Sequence, residues 1–249
     1  VFVAASSRCF ANLPLNAAML QLVELEYVSV EIMVHETGGH LKPSEVLADT
    51  ERAVMLCRQT HRLTPVALSV EIEAAAPEYY QQFAACCRLA KAIKVVTITV
   101  RSAELGTPFN EEIERLRTLV ALASREGIRV GLLTEVDRMT ETPDTAVVMC
   151  DSVKGLGITL DPSYYTFGPH AGVDYDSVLK HVYHVRLRDT TKDQLQVRIG
   201  QGEIEYGRLV NQLHKVHYDR ALCVDLEAMA DVDQLTEMRK MRLLLESLL

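Results

Sequence analysis

The chain has 249 residues, 48% of them hydrophobic, and a net charge of -8 at pH 7. A chain of this size buries roughly 75% of its unfolded surface, enough for one large core, so a single domain over residues 1–249 is the economical reading. The acidic balance opposes a polyanionic partner such as nucleic acid, and no apolar run reaches the ~18 residues needed to span a bilayer.

In chain order, Val1–Ala5 is a short apolar run that reads as a first strand behind a lost initiator Met or tag, since it resembles no signal peptide. Tyr27–Ile32 is the second run, followed by His35-Glu-Thr-Gly-Gly-His40, whose glycine pair suits a flexible loop. Pro43-Ser44-Glu45 predicts a helix start, with the helix running to about His61. Pro65–Ile72 is the third run, and Pro77-Glu78 opens a helix that turns Phe83, Cys86, Cys87 and Ala90 inward. Ile93–Val100 is the fourth, followed by Pro108, Asn110, Glu111 and Glu112, a cap with first-turn acids for a helix ending near Gly127. Ile128–Thr134, Leu156–Asp161, Val182–Leu187 and Ala221–Leu226 complete eight runs. Asp233–Leu249 places Leu235, Met238, Met241, Leu244, Leu245 and Leu248 on one stripe, predicting an outer helix. Eight β–α units in one chain predict a closed (β/α)8 TIM barrel, whose chemistry gathers where the carboxyl ends of the strands converge.

The six cysteines, Cys9, Cys57, Cys86, Cys87, Cys150 and Cys223, form no CxxC pair and no spaced Cys/His quartet. That pattern speaks against structural zinc and against a disulfide framework. They read as small core residues in a reducing cytosol, so a cytoplasmic location is expected.

Carboxylates stand at the ends of three runs: Glu135 after the fifth, Asp161 at the sixth, Asp225 in the eighth with Glu227 two residues on. Convergent carboxylates hold divalent cations or exchange protons with a carbon acid. Glu31 and Glu71 sit late in the second and third runs, where a charge should face the barrel mouth, and His35 and His170 fall in loops. In the seventh run His184, Arg186 and Arg188 alternate with Tyr183, Val185 and Leu187. Outward residues of a barrel strand meet helices and should be apolar, so the basic set faces inward. Buried arginines need carboxylate partners, and the neighbouring runs offer Asp161 and Asp225.

Four segments carry a resemblance: Leu160–Tyr165 (LDPSYY), His184–Thr190 (HVRLRDT), Ile199–Tyr206 (IGQGEIEY) and Tyr218–Asp225 (YDRALCVD). Together, in strand order, they resemble the sugar phosphate isomerase/epimerase family, the xylose isomerase-like TIM barrels. The resemblance implies a metal site (Mn, Mg, Co or Zn) built from a Glu, an Asp, a His and a Glu at the ends of strands 5 to 8. The two glutamates of such a site also move protons on an ene-diolate. Carried over, Glu135, Asp161 and Asp225 are the metal candidates, with Glu135 and Asp225 also catalytic. Arg186 stands where a His ligand is expected, Tyr164 stands where a further His is usual, and Asp225 replaces a Glu. Arginine offers no lone pair, and Asp for Glu shortens the reach by about one C–C bond. Three outcomes stay open: a weak metal on Glu135, Asp161 and water; the Arg186 guanidinium in the metal's place, bridging Asp161 and Asp225; or loss of isomerase activity.

The expected function is isomerisation or epimerisation of a small polyol, keto-sugar or keto-acid, with Glu135, Asp225 and Arg186 catalytic. His184, Arg188, Glu71, Glu31, His35 and Tyr164 are then substrate-binding candidates. The alternatives are a non-catalytic binding barrel using the same mouth and, more remotely, an endonuclease IV-like phosphodiesterase. Neither nucleic-acid nor membrane partners are expected, and relatives of this kind suggest a homo-oligomer.

Overall fold

The computed structural model describes residues 1–38 and 40–249. Eight parallel strands close into a barrel in sequence order: β1 (Phe2–Ser6), β2 (Ser29–His35), β3 (Thr64–Glu71), β4 (Thr97–Arg101), β5 (Arg129–Leu133), β6 (Leu156–Leu160), β7 (Val182–Leu187) and β8 (Ala221–Val224). The ring shuts where β8 meets β1, with Phe2 opposite Ala221 and Ala5 opposite Val224. The helices are α1 (Leu15–Glu24), α2 (Pro43–Ala48), α3 (Thr50–Arg58), α4 (Glu78–Ala92), α5 (Phe109–Arg125), α6 (Pro143–Ser152), the single turn α7 (Ser163–Thr166), α8 (Tyr206–Lys215) and α9 (Gln234–Glu246).

The helix α5 illustrates how sequence sets each unit. Ile113, Leu116, Leu119, Val120 and Ala123 recur at helical spacing and are buried against the barrel. Each such large aliphatic contributes about 1.5–3 kcal/mol by leaving water. Gly127 stops the helix: its φ of +73° is readily reached only without a Cβ. That turn lets the Ile128 amide donate to the Ala123 carbonyl at 2.9 Å, and the chain enters β5.

The predicted elements differ from the observed ones in four places, the first being that the helix expected to be capped by Asn110 already begins at Phe109, directly after Pro108. The helix expected from Pro43 to His61 is two helices, because Asp49 leaves helical geometry (φ -149°, ψ 83°) and its carboxylate accepts the Arg52 amide at 2.9 Å. Aspartate favours such a cap over a helix interior. β4 begins at Thr97, since Lys94 turns through φ +63°. On the last helix Met238, Met241 and Leu245 are buried as expected, but Leu235 is exposed in the turn that Asp233 caps. All six cysteines are buried and unpaired.

Branched aliphatics usually fill a barrel interior. Here the interior is partly polar. The Thr99 and Thr159 hydroxyls bond at 2.8 Å from β4 to β6, across Gly131 of β5. A Cβ on Gly131 would lie 2.5 Å from the Thr159 hydroxyl oxygen, so only glycine leaves that window open. Glu31, His184 and Arg186 are also buried, and they lead up to the mouth.

Candidate active site at the barrel mouth

The mouth has a sealed flank and an open one. On the sealed flank, Arg188 follows β7 and its Nη2 donates to Asp161 (2.9 Å), just beyond β6, and to Asp225 (3.4 Å), just beyond β8. Asp225 also accepts from Arg8, through Nε at 3.0 Å and Nη2 at 2.8 Å, and Arg8 reaches Glu227 at 2.5 Å. Asp161 accepts the Ser163 amide at 3.0 Å. One layer deeper, Arg186 pairs with both oxygens of Glu31 (3.0 and 3.1 Å), and His184 Nε2 lies 3.0 Å from Glu31 Oε2. Burial opposes charge on Glu31, but Arg186 and then His184 outweigh it and bring its carboxyl to about 2. Burial also opposes charge on Asp225; Arg8, Arg186 and Arg188 overcome it and hold that carboxyl well below the usual range.

On the open flank, Arg101 ends β4 and stands between two carboxylates. Its Nε and Nη2 donate to Glu135 at 2.7 and 2.5 Å, and its Nη1 lies 3.9 Å from Glu71 at the end of β3. The hydrogen bond to Glu135 raises the Arg101 pKa, so the guanidinium stays charged. The Arg101 and Glu71 side chains are each 35% exposed and Glu135 is 13% exposed, against 4% or less for Arg186, Arg188, Asp161 and Asp225. A cleft of 540 Å³ opens over Arg101, Glu135, Tyr164, Phe167 and Leu195. A second, of 460 Å³, lies on the other side of Arg101, over Glu71 and Tyr79.

The structure corrects several expectations. The guanidinium bridging Asp161 and Asp225 belongs to Arg188; Arg186 lies two residues earlier on β7, pairs with Glu31, and is 4.0 Å from Asp225. Glu31 is the third of seven residues in β2 and fully buried, so it faces the barrel interior below the mouth. His35 is the last residue of β2, not a loop residue, and its Nε2 meets the Ser69 hydroxyl at 2.7 Å. Burial, then the charges of Arg186 and Arg8, lower the His35 pKa to about 3, so the ring is neutral near pH 7. Of the expected flexible glycine pair, Gly38 has φ +144°, and Gly39 lies outside the described residues. His170 pairs with Glu141 at 3.3 Å. Tyr164 lays its ring over Arg188, 5.6 Å from the guanidinium carbon, and the other predicted residues stand where described above.

Arg8, Arg101, Ser69 and Asp189 escaped the sequence reading. Arg101 directly follows the fourth run and Arg8 closely follows the first, the positions that mark Glu135 and Asp161. Asp189 organises the glycine-rich marker: its carboxylate accepts the Gly200 amide at 2.7 Å and the Gly202 amide at 3.0 Å.

The carboxylates of the mouth do not fit a divalent cation. Arg8, Arg101 and Arg188 already take Asp225, Glu135 and Asp161, and among the described residues these three acids form no cluster of converging donors. Glu31, His184 and Cys223 do place donor atoms within 4.8 Å of one another, but Arg186 covers both oxygens of Glu31. At an effective dielectric of about 20, a doubly charged ion ~4 Å from a guanidinium meets roughly 8 kcal/mol of repulsion.

The sequence matches the xylose isomerase-like TIM barrel family over residues 21–247, and the chain belongs to that family. No curated protein sequence matches it. Among solved structures it is similar to a D-tagatose 3-epimerase-like protein, with TM-score 0.75 and 16% identity, covering 100% of this chain and 98% of that one. It is similar to the IolI protein, solved with a bound zinc atom, with TM-score 0.75 and 17% identity over 100% and 98% of the two chains. It is also similar to the 3-keto-D-glucoside 4-epimerase of E. coli, with TM-score 0.75 and 15% identity over 98% of each. Among the described residues, no helix is long and apolar enough to cross a membrane.

Proposed function

We propose that the chain is an isomerase or epimerase for a small polyol, keto-sugar or keto-acid, working from the open flank of the mouth with a guanidinium as its electrophile. One observation carries this reading: Arg101 is partly exposed between Glu71 and Glu135 at the floor of an open cleft. Proton transfer next to a carbonyl needs a base, a group to hold the developing oxyanion, and an acid to return the proton. Glu135 takes the proton from the carbon next to the carbonyl, and the electron pair moves onto the carbonyl oxygen. Arg101 donates hydrogen bonds to that oxygen; Glu71, entering the step as the carboxylic acid after taking a proton from water in the open cleft, gives that proton to carbon from the other side as the electron pair returns from oxygen, and Glu135 releases its own proton to water. Tyr164 and Leu195 wall the substrate. Asp225 and Arg186 drop out of the catalytic set: both are buried, and Asp225 is pinned as a charged carboxylate of low basicity.

The fold neighbours named as sugar epimerases support a sugar-like substrate. A non-catalytic binding barrel is the second reading, favoured by the fact that Asp161, Asp225 and Glu135 each already hold an arginine. Incubating ketoses and keto-acids with the protein in D2O, after chelation and metal analysis, separates the two. Deuterium enters the substrate next to the carbonyl without added metal, and Glu135→Gln slows exchange about 10²–10⁴-fold. Saturable binding with no exchange, or exchange only with equimolar metal restored, overturns the proposal.

A further inference from the structure

The opposite end of the barrel carries a different charge pattern. Small side chains, Ala4, Ala221 and Cys223, form their own cluster beside Val66 and leave the floor incompletely filled. A cavity of 220 Å³ opens there, lined by Val66, Thr97, Tyr183, His184, Arg220 and Lys94 among others. Tyr183 is the platform of this floor. Gly157 of β6 makes room for it, because a Cβ there would collide with the ring. Arg129 and Arg220 both stack on that ring, with guanidinium carbons 5.3 and 5.8 Å from its centroid.

Three cations thus gather at one opening of a chain with net charge -8. Among the described residues, neither Lys94 nor Arg129 makes an ion pair, and Arg220 has only Asp219, 3.9 Å away and largely exposed. Like charges held together without carboxylates raise the local positive potential. Burial, then the charge of Arg129, push the Arg220 pKa below its usual value, as expected for cations short of an anion. The cavity also reaches the side of His184, which is 2% exposed and whose Nε2 is turned to Glu31, 3.0 Å away.

We propose that the floor cavity binds a phosphate group, with Lys94 and Arg220 as its charge partners, Arg129 contributing from across the Tyr183 ring, and His184 forming the inner wall. Guanidinium and ammonium groups together suit a tetrahedral oxyanion, the first through forked donors and the second as a point charge. This site lies away from the Glu71–Arg101–Glu135 cleft and stands or falls independently of it.

Calorimetric titration with inorganic phosphate, and separately with glycerol 3-phosphate, tests the proposal at low ionic strength. One saturable site is expected for at least one of the two, weakened at least tenfold by Lys94→Gln and by Arg220→Gln and unchanged by Arg101→Gln. Because Arg220 also donates to the Tyr183 carbonyl at 3.3 Å, the exposed Lys94→Gln variant carries the test if Arg220→Gln fails to fold. No saturable binding of either probe overturns the proposal. So does binding that survives both floor substitutions, or that disappears with Arg101→Gln.

Discussion

Two flanks of one barrel mouth use the same pair of chemical groups to different ends. Toward β6, β8 and β1, Arg188, Asp161 and Asp225 are almost wholly buried, and Arg8, 22% exposed, closes their lattice from its edge. Toward β3, β4 and β5, arginine and glutamate meet at a solvent-facing cleft, where Arg101 is 35% exposed. A buried ion pair is fixed in place by the cost of leaving either partner alone, whereas a partly solvated pair can exchange a partner for a ligand. On the function proposed above, the open cleft beside a charged pair, and not residue type, separates structural charge from reactive charge.

The sharpest way to break the comparison is Glu135→Gln, where the open flank should lose its proton exchange while thermal unfolding stays nearly unchanged. On the sealed flank, Asp225→Asn should do the reverse. It leaves Arg8, Arg186 and Arg188 short of a buried counter-charge and should cost about 3–5 kcal/mol of stability by denaturant titration. A loss under 1 kcal/mol would show that the sealed lattice is not structural.

The pH dependence of stability sharpens the same contrast. His35 titrates near 6.5 when unfolded and about 3 when folded, so below about pH 6.5 the unfolded chain binds the extra proton. Glu31 and Asp225 have depressed folded values, so their contribution is present above their unfolded values near 4 and fades as the pH falls through the folded ones. All three push the same way: stability falls on acidification, first through His35 and then through the carboxylates. His35→Gln should flatten the curve between about pH 6.5 and 4.5 and leave the steeper acid limb intact. The smallest effect belongs to Glu71→Gln, whose 3.9 Å contact with Arg101 is half-exposed and should change stability by under about 1 kcal/mol.

The barrel was legible because the eight apolar runs each found a partner in order, from Phe2–Ser6 to Ala221–Val224. Strand alternation also read His184, Arg186 and Arg188 correctly as inward. It could not say which arginine meets which acid. Two residues along a strand are roughly 6–7 Å of rise, so Arg186 meets Glu31 while Arg188 meets Asp161 and Asp225. That assignment depends on the stagger of strands far apart in sequence. Arg101 is hidden for a simpler reason: a single base after an apolar run carries no mark of the acid it meets, and Glu135 lies 34 residues further on.

Asp189 has a consequence beyond its own bonds. It never faces the cleft, yet by gathering the amides of Gly200 and Gly202 it anchors the connection whose Leu195 forms one wall over Glu135. The same connection is held nearer the wall, where the Thr190 hydroxyl donates to the Leu195 carbonyl and the Val197 amide donates to the Asp189 carbonyl at 2.9 Å, so backbone bonds fix the entrance on that side and leave its lining to the Leu195 side chain. Diversification of what this barrel accepts would proceed there first, by altering the wall while its anchor holds.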